Sequence, residues 1–433
     1  MPDAGHLTVS PAGALVGELS VPGDKSVSHR SVMVGSLCDG PVEVTGFGAS
    51  ADTLATVEAF RSLGVAIEQP DPTTLHIQGV GLRGLREAAG AIDVGNAGTL
   101  MRILPGVLAG QSGTFVLDGD ESIRRRPMER VARPLREMGV DIVTSDGLPP
   151  VTLRGGGTIS PISYRLPVAS AQVKSCILFA GLFAERGVTV VEEPIPTRDH
   201  TERMLQRAGV PVDRRPGRVS VSPVSSLELS EIPVPGDFSS AAPFIAAATV
   251  LQGSLLTLRG ININPTRTGL LLVLERMGAR VGLFGRRWAA GEPIADIEVR
   301  PAELVATDLE PELVPSMIDE LPLLVLLACF ARGTTVIRGA AELRAKESDR
   351  IETVVEAMRG VGAHVRALED GFEVTGVPTR LRGGRIDAHG DHRIAMLGAV
   401  AGVCSQEGVT VEGFESVTVS FPDFADSLAA VSA

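Results

Sequence analysis

Aromatic residues are scarce in this sequence, making up 3% of its 433 residues, with one tryptophan and one tyrosine. Proteins that bind single-stranded nucleic acid stack the bases on aromatic side chains, so a nucleic-acid partner is disfavoured. The formal net charge of −12 argues further against nucleic acid and against an anionic membrane surface. Small anionic substrates are not excluded, because a local cluster of Arg and Lys can outweigh the overall charge.

Cysteines and long apolar runs are also few. Four cysteines occur, far apart and each within or beside an apolar run: Cys38, Cys176, Cys329 and Cys404. None belongs to a C-x-x-C pair, which predicts buried free thiols in a reducing compartment. The N-terminus lacks the basic and apolar regions of a signal peptide. The longest apolar run, residues 321–331, is about half a membrane span and contains Pro322. Together these absences predict a cytoplasmic protein.

Motifs for metals and nucleotides are missing as well. The seven histidines form no H-x-x-x-H or H-E-x-x-H pair, which predicts that there is no zinc or other metal site. Residues 79–84, GVGLRG, match G-x-G-x-x-G, but no long apolar helix and no ribose-binding acid follow in a βαβ unit. PGDKS lacks the G-K-[ST] order of a phosphate-binding loop, because Asp24 separates Gly23 from Lys25. We therefore predict no cofactor, and Arg and Lys must bind any phosphate.

A repeat of roughly 75 residues organises the chain, whose length is about that of three ~150-residue domains. Each copy contains a glycine followed by alternating β-branched residues, and these glycines are Gly40, Gly113, Gly187, Gly253, Gly333 and Gly408. A helix that is apolar on all faces, and must therefore be buried, precedes each glycine. An amphipathic helix follows it and, in five copies, a strand–turn–strand. The predicted unit is β-α-β-α-β-β, six times over.

The last copy reaches Ala433 without its closing strands. We expect the strand-like segments 7–10 (LTVS) and 14–21 (ALVGELSV) to complete it. This predicts an α/β protein with two domains of three copies each: residues 1–22 plus 236–433, and an inserted domain of residues 23–235. An ordinary doubly wound α/β protein is the alternative, but it fits the strand–turn–strand poorly.

Polar residues cluster just before the buried helices, in PGDKSVSHR, GNAGTLMR, ASAQVK, PGDFSSA, MIDELP and GDHRIA. Helix N-termini bind anions, because they carry unpaired N–H groups and a partial positive charge. The small residues Gly98, Ser170 and Ala171 leave room for a ligand near that backbone. The buried helices are therefore predicted to point anion-binding ends at a common substrate site.

Helix capping explains only some of these polar residues. It accounts for Asp237, Ser239 and Ser240 and partly for Asn96 and Thr99. It does not explain the other polar residues that open two helices, Lys25, His29, Arg30, Gln172 and Lys174. Further basic residues lie in predicted loops: Arg124, Arg125 and Arg126, then Lys346 and Arg350, then His392 and Arg393. Lys346 and Arg350 are four residues apart and are expected to share a helix face, as an exposed charged face would also require.

Seven motifs follow one another along the chain: PGDKSVSHR, GNAGTLMR, RRRPM, SAQVK, DELP, KESDR and DHRIAM. In these motifs and in their order, the sequence resembles the 5-enolpyruvylshikimate-3-phosphate (EPSP) synthase family over the whole chain. The resemblance implies two inverse α/β barrels with the active site in the cleft between them. It implies transfer of the enolpyruvyl (carboxyvinyl) group of phosphoenolpyruvate to the 5-hydroxyl of shikimate 3-phosphate, with release of phosphate and without a cofactor. The partners expected are these small molecules alone, bound by a monomer, and glyphosate is expected to inhibit.

The resemblance also assigns site residues, motif by motif. The shikimate 3-phosphate ligands would be Lys25, Ser26, Arg30, Ser170, Ala171, Gln172, Asp319 and Lys346. The phosphoenolpyruvate ligands would be Lys25, Asn96, Gly98, Arg126, Gln172, Arg350 and Arg393. Asp319 corresponds to the proton acceptor at the 5-hydroxyl. Glu347 and Lys25 are the candidates that deliver a proton to the methylene carbon.

The sequence departs from some relatives at two positions. Val419 stands where they carry a phosphoenolpyruvate-binding Lys, and Lys174 is the candidate to compensate for it. His200 stands where they carry a Tyr at the substrate ring. The alternatives are a UDP-N-acetylglucosamine enolpyruvyl transferase, which typically has Cys or Asp in the loop that here reads DGDESIRRRPM, and an inactive binding protein, which would have lost the charged residues.

Overall fold

The computed structural model describes residues 5–433. Residues 1–4, which begin the segment where no signal peptide is predicted, lie outside the described residues. The strands of the first half are β1 His6–Val9, β2 Val16–Leu19, β3 Asp39–Thr45, β4 Ala66–Asp71, β5 Thr74–Val80, β6 Ile92–Asp93, β7 Gly113–Asp118, β8 Asp141–Ser145, β9 Leu148–Gly155, β10 Ser163–Arg165 and β11 Thr189–Glu192. Those of the second half are β12 Val212–Arg215, β13 Arg218–Val221, β14 Glu231–Pro233, β15 Leu255–Asn262, β16 Arg280–Ala289, β17 Glu292–Arg300, β18 Gly333–Ile337, β19 His364–Leu368, β20 Gly371–Gly376, β21 Gly384–Asp387 and β22 Val409–Glu412.

The helices alternate with these strands as the repeat predicts. They are α1 Lys25–Leu37, α2 Ala51–Ser62, α3 Gly98–Leu108, α4 Glu121–Arg124, α5 Glu129–Glu137, α6 Ala171–Gly181, α7 His200–Arg207, α8 Phe238–Val250, α9 Gly269–Arg276, α10 Leu321–Cys329, α11 Arg350–Gly360, α12 His392–Val403 and α13 Phe424–Val431. Short 3-10 helices span Pro311–Ser316, Ala341–Ala345 and Phe414–Val419. Among the described residues, no helix is both long enough and apolar enough to cross a membrane.

The chain divides into two compact units. Unit 1 consists of the chain up to Pro22 with Gly236–Arg287 and Pro293–Ala433, and unit 2 consists of Gly23–Pro235 with Trp288–Glu292. Each unit has its own hydrophobic core. The helices predicted to be apolar on all faces supply much of these cores: α8, α10 and α12 in unit 1, and α1, α3 and α6 in unit 2. Their burial is confirmed, as is that of the four free cysteines, all of them in the described part of the chain.

In unit 2, the described residues form three four-stranded sheets, in the orders β14-β3-β5-β4, β6-β7-β9-β8 and β10-β11-β13-β12. The first strand of each order, β14, β6 or β10, is called the leading strand. It runs parallel to its neighbour, and the remaining neighbouring strands of the sheet are antiparallel to each other. The leading strand of the first copy is β14, which follows the third copy in sequence. The first and third copies are therefore joined through a shared sheet, and the three copies close on themselves.

Unit 1 has sheets in the orders β16-β17-β15-β2, β18-β20-β19 and β1-β22-β21. The prediction that both N-terminal segments complete the sixth copy is right for β1, which pairs antiparallel with β22 from His6 opposite Glu412. It is wrong for β2, which pairs in parallel with β15, Val16 opposite Leu255. The reason is that β14 serves the first copy, so the fourth copy takes its leading strand from the start of the chain.

Four of the buried helices begin at side-chain caps, which explains where the polar residues before them lie. Asp24 accepts a hydrogen bond from the backbone N–H of Val27 in α1, at 3.1 Å, and Ser170 accepts one from Val173 in α6, at 3.3 Å. Asp237 and Asp391 cap α8 and α12 in the same way. These caps fix the first turns of the helices, and the candidate site is built on those turns.

Candidate active site

The candidate site of unit 1 is centred on Asp319, just before α10. Its Oδ1 atom lies 3.4 Å from Nζ of Lys346 and 3.3 Å from Nη1 of Arg350. The prediction that Lys346 and Arg350 share a helix face is wrong, because Lys346 follows a 3-10 helix and α11 begins only at Arg350. A bend, rather than a helical turn, brings both cations to the same carboxylate oxygen.

The guanidinium of Arg350 is the most heavily paired group of this site. Its side chain is 1% exposed, with Nε 2.7 Å and Nη2 3.1 Å from the two oxygens of Asp391, and Nη2 2.6 Å from Oε2 of Glu347. Burial alone would lower the pKa of Arg350, but the carboxylates of Asp391 and Glu347 raise it well above its ordinary value. For Asp391, burial would raise the pKa and the charge of Arg350 lowers it. Arg350 therefore stays charged and has a fixed orientation.

Arg393 links the starts of two further buried helices in unit 1. Its Nη1 donates to the carbonyl oxygen of Ser239 in α8, at 3.1 Å. The hydroxyl of Ser239 donates to Glu320, next to Asp319, and accepts from Nη2 of Arg267 at 2.8 Å. Asp237 is the cap that the sequence predicts, whereas Ser239 lies inside the helix and connects α8 to the residue beside Asp319.

Unit 2 holds the remaining predicted residues at the starts of α1, α3 and α6. Lys25, the first residue of α1, is 21% exposed, and its Nζ lies 2.9 Å from Oδ2 of Asp52 at the start of α2. Ser26 is half-buried, and its carbonyl oxygen accepts a hydrogen bond from Arg30 at 2.9 Å. The ammonium of Lys25 is thus held at the helix start where the motif predicts a substrate ligand.

Gly98 and Arg126 are in direct proximity. A Cβ atom added to Gly98 would lie 2.6 Å from Nη1 of Arg126, whose Nη2 donates to Asn96 at 3.3 Å and to Ser122 at 3.1 Å. Asn96 in turn donates to Asp120, at 2.6 Å. Three of the predicted phosphoenolpyruvate ligands therefore form one cluster at the start of α3, in which Arg126 of a later motif joins Asn96 and Gly98.

Gln172 connects α6 with α3. Its Oε1 accepts from Nη1 of Arg102 at 2.7 Å, and its Nε2 donates to the hydroxyl of Thr99 at 3.1 Å. Ser170 is the cap of α6, and Ala171, half-buried, is its first residue. The structure thus brings Ser170, Ala171 and Gln172 together with the Gly98 cluster through contacts between α3 and α6.

Two basic residues of unit 2 lie deeper than the motifs suggest. Arg30 is 3% exposed and donates from Nε to Thr201, at 2.6 Å, and from Nη2 to Ser175, at 2.9 Å. Burial lowers its pKa to about 10. Lys174 is buried between carboxylates 2.7 and 2.9 Å from its Nζ. The expectation that Lys174 compensates for the Lys missing at Val419 is therefore wrong, because its ammonium is already fully used inside unit 2.

His200, at the position where some relatives have Tyr, is the first residue of α7 and is 1% exposed. Its Nδ1 lies 2.8 Å from Oε1 of Glu292, the first residue of β17, which ends the segment Trp288–Glu292 of unit 2. Sequence reasoning also missed Asp52, Arg102 and Asp391, which hold Lys25, Gln172 and Arg350. Only Asp391 had a usable signal, since it precedes two basic residues at the start of a buried helix.

The chain matches known proteins over nearly its whole length. The family model for EPSP synthase (3-phosphoshikimate 1-carboxyvinyltransferase) matches residues 9–428. Curated proteins of that name from Halorhodospira halophila and Desulforamulus reducens are 50% and 47% identical, covering 97% and 98% of this chain and 94% and 98% of their own lengths. An EPSP synthase structure from Acinetobacter baumannii superimposes with a TM-score of 0.89 at 44% identity, covering 99% of this chain and 98% of that one.

A solved structure of the enolpyruvyl transferase NikO from Streptomyces tendae, at 17% identity and a TM-score of 0.78 over 99% of this chain and 98% of its own, shares the fold. The chain therefore has the enolpyruvyl transferase fold, as the family resemblance implies, and this is an α/β fold, as the repeat predicts. Within that class it belongs to the EPSP synthase family, and it is an enzyme. The UDP-N-acetylglucosamine alternative is not favoured by these relatives.

Proposed function

We propose that the chain transfers the carboxyvinyl group of phosphoenolpyruvate to the 5-hydroxyl of shikimate 3-phosphate and releases phosphate. This is a step of the shikimate pathway to chorismate and the aromatic amino acids. The observation that carries the proposal is the cluster in which Asp319 faces both Lys346 and Arg350, in a chain that belongs to the EPSP synthase family. A carboxylate can accept a proton, and the two cations beside it can bind anionic substrates.

The substrates explain the excess of cations at these helix starts. Each substrate carries one phosphate and one carboxylate, so four anionic groups need donors. For shikimate 3-phosphate we propose Lys25, Ser26, Arg30, Ser170, Ala171, Gln172, Asp319 and Lys346. For phosphoenolpyruvate we propose Lys25, Asn96, Gly98, Arg126, Gln172, Arg350 and Arg393. The helix dipoles at the starts of the buried helices add to the positive potential.

The reaction proceeds by addition and then elimination. In the addition, the oxygen of the 5-hydroxyl group bonds to C2 of phosphoenolpyruvate while Asp319 accepts the hydroxyl proton. Glu347 or Lys25 delivers a proton to the methylene carbon. In the elimination, the methyl carbon returns a proton to the group that delivered it, the carbon–carbon double bond re-forms, and the bond from C2 to the phosphate oxygen breaks to release phosphate. Arg350 orients Glu347 through the 2.6 Å contact and also lies 3.3 Å from Asp319, so one guanidinium holds the proton acceptor and one of the two candidate proton donors.

We further propose that units 1 and 2 act as the two predicted domains, each providing substrate ligands. The enzyme acts as a monomer in the cytoplasm and requires no cofactor. Gel filtration with light scattering tests the first of these properties. Activity that is unchanged after exhaustive treatment with a chelator tests the last.

The decisive experiment measures phosphate release from phosphoenolpyruvate with shikimate 3-phosphate or with UDP-N-acetylglucosamine as acceptor. We expect one phosphate per shikimate 3-phosphate consumed and no release with the nucleotide sugar. Release with the nucleotide sugar alone would support the rival transferase. Binding of shikimate 3-phosphate without turnover would support a binding protein.

A further inference from the structure

Lys174 is a buried cation that the proposed reaction does not use. It lies in the first turn of α6, two residues after Gln172, and its side chain is 1% exposed. Its Nζ atom lies 2.7 Å from Oε1 of Glu202, 2.9 Å from Oε1 of Glu193 and 3.3 Å from the carbonyl oxygen of Thr197. An ammonium group has three N–H donors, and here each has an acceptor.

The three acceptors all belong to one stretch of chain, residues 193–202. This stretch leads from β11 into the first turn of α7, and it contains two prolines, which limit its backbone freedom. The hydroxyl of Thr197 also donates to Glu193. One side chain of α6 therefore fixes the beginning, the middle and the end of the connection between β11 and α7.

The same stretch contacts Arg30, a predicted ligand of shikimate 3-phosphate, through Thr201. Thr201 lies within the held segment, directly before Glu202, and its hydroxyl accepts from Nε of Arg30 at 2.6 Å and is hydrogen-bonded to Ser175 at 2.7 Å. Arg30 also donates to Ser175, at 2.9 Å. The orientation of the Arg30 guanidinium in α1 thus depends on where α7 begins, and Lys174 fixes that point.

The electrostatics fit a fixed network rather than a labile one. Burial would lower the pKa of Lys174, but the charges of Glu202 and Glu193 raise it above its ordinary value. The ammonium therefore stays charged. The charge of Glu202 also acts on Arg30, whose pKa it raises against the larger lowering effect of burial.

We propose that Lys174 is a positioning residue for shikimate 3-phosphate, which holds residues 193–202 so that Thr201 keeps Arg30 in its binding orientation. The proposal rests on the proposed function. It differs from a purely structural role, in which Lys174 would stabilise unit 2 without affecting the affinity for a substrate. The two readings predict different binding constants, and these can be measured.

The test compares Lys174→Met with Leu178→Ala, a variant on the same helix at a fully buried apolar position outside the network. Both should lower the melting temperature. Isothermal titration should show the dissociation constant of shikimate 3-phosphate raised about tenfold or more in Lys174→Met and unchanged in Leu178→Ala, because small shifts of a positioned ligand have large effects. At saturating shikimate 3-phosphate, the KM for phosphoenolpyruvate should stay within about threefold of wild type.

Removing the ammonium leaves the carboxylates of Glu193 and Glu202 buried without their shared cation. The test therefore includes a neutral triple variant, Lys174→Met, Glu193→Gln, Glu202→Gln. The triple variant carries the test alone should Lys174→Met fail to fold, and it should bind shikimate 3-phosphate as weakly as the single variant. Wild-type affinity in either variant, or equal weakening in Leu178→Ala, would overturn the proposal. If the wild-type chain itself does not bind shikimate 3-phosphate, the proposed function has failed instead.

Discussion

Substitution of Gly98 by Ala places a methyl group against Arg126. The new carbon would lie 2.6 Å from Nη1, whereas ordinary contacts begin near 3.4 Å, so the guanidinium must move by about 0.8 Å. That movement strains the hydrogen bonds from Nη2 to Asn96 and Ser122, which are already 3.3 and 3.1 Å long. A strained rotamer or a weakened hydrogen bond costs about 0.5–1.5 kcal/mol. The KM for phosphoenolpyruvate should therefore rise about two- to tenfold.

Glyphosate should be affected more strongly than phosphoenolpyruvate. In the EPSP synthase family this inhibitor competes with phosphoenolpyruvate, and it is the longer anion. It would meet both the displaced guanidinium and the new methyl group, so Gly98→Ala should raise its inhibition constant by a larger factor than the KM. Wild-type enzyme should be inhibited competitively with phosphoenolpyruvate.

The assay is steady-state phosphate release at varied phosphoenolpyruvate and glyphosate. Gly90→Ala is the matched control, because a Cβ atom at Gly90 has no heavy atom within 4 Å among the described residues. Adding Arg126→Lys completes a double-mutant cycle in which the effect of Gly98→Ala on the KM should shrink, since Lys lacks the crowded nitrogen. If Gly98→Ala raised the KM for phosphoenolpyruvate and the inhibition constant of glyphosate by the same factor, the steric reasoning would be refuted. An unchanged KM for phosphoenolpyruvate in Gly98→Ala would refute the role of Arg126.

Three further outcomes are expected. Asp319→Ala should lower kcat about 10²–10⁴-fold with little change in melting temperature, as loss of a general base requires, and near-normal turnover would remove Asp319 from the mechanism. Asp391→Asn should lower the free energy of unfolding by about 3–5 kcal/mol at neutral pH, because it breaks the buried ion pair with Arg350. The lowered pKa of Asp391 adds stability that is present above the unfolded pKa and is lost as pH falls through the native pKa. Urea unfolding should therefore show a shallower loss of stability between pH 5 and 3 in the variant. Burial raises the thiol pKa to about 11 in Cys38 and about 12 in Cys329 and Cys404, and raises that of Cys176 as well. A thiolate-specific reagent should therefore label the native protein slowly and all four cysteines only after unfolding.

Local pattern was enough to predict most of the fold. Six helices that are apolar on every face must be buried, and the glycine before each alternating strand marks the period, so the repeat follows from the sequence alone. The leading strands did not follow in the same way. The short strands β2 and β14 carry little hydrophobic periodicity, and their partners lie far away in the sequence: Val16 pairs with Leu255, and Ile232 with Val44.

For the candidate site too, the sequence predicted some residues but not how they are placed. Motif order was sufficient to name Asp319, Lys346 and Arg350, which the structure brings together. It could not show that Lys174 is buried, because a cation at a helix start is a ligand or a core ion pair depending on carboxylates that are distant in sequence, here Glu193 and Glu202. Nor could a spacing of four residues reveal that a bend, and not a helix, joins Lys346 to Arg350.

The pairing of β1 with β22 constrains the order in which the chain can fold during synthesis. Of the described strands, β1 is made first, and its partner follows 402 residues later, at Thr8 and Thr410. At roughly 5–20 residues per second, β1 waits about 20–80 s before its sheet can form. Most of unit 2, by contrast, has all its strands once Pro233 has been made. The inserted repeats can thus mature on the ribosome while the first strands of the enclosing unit remain without a sheet.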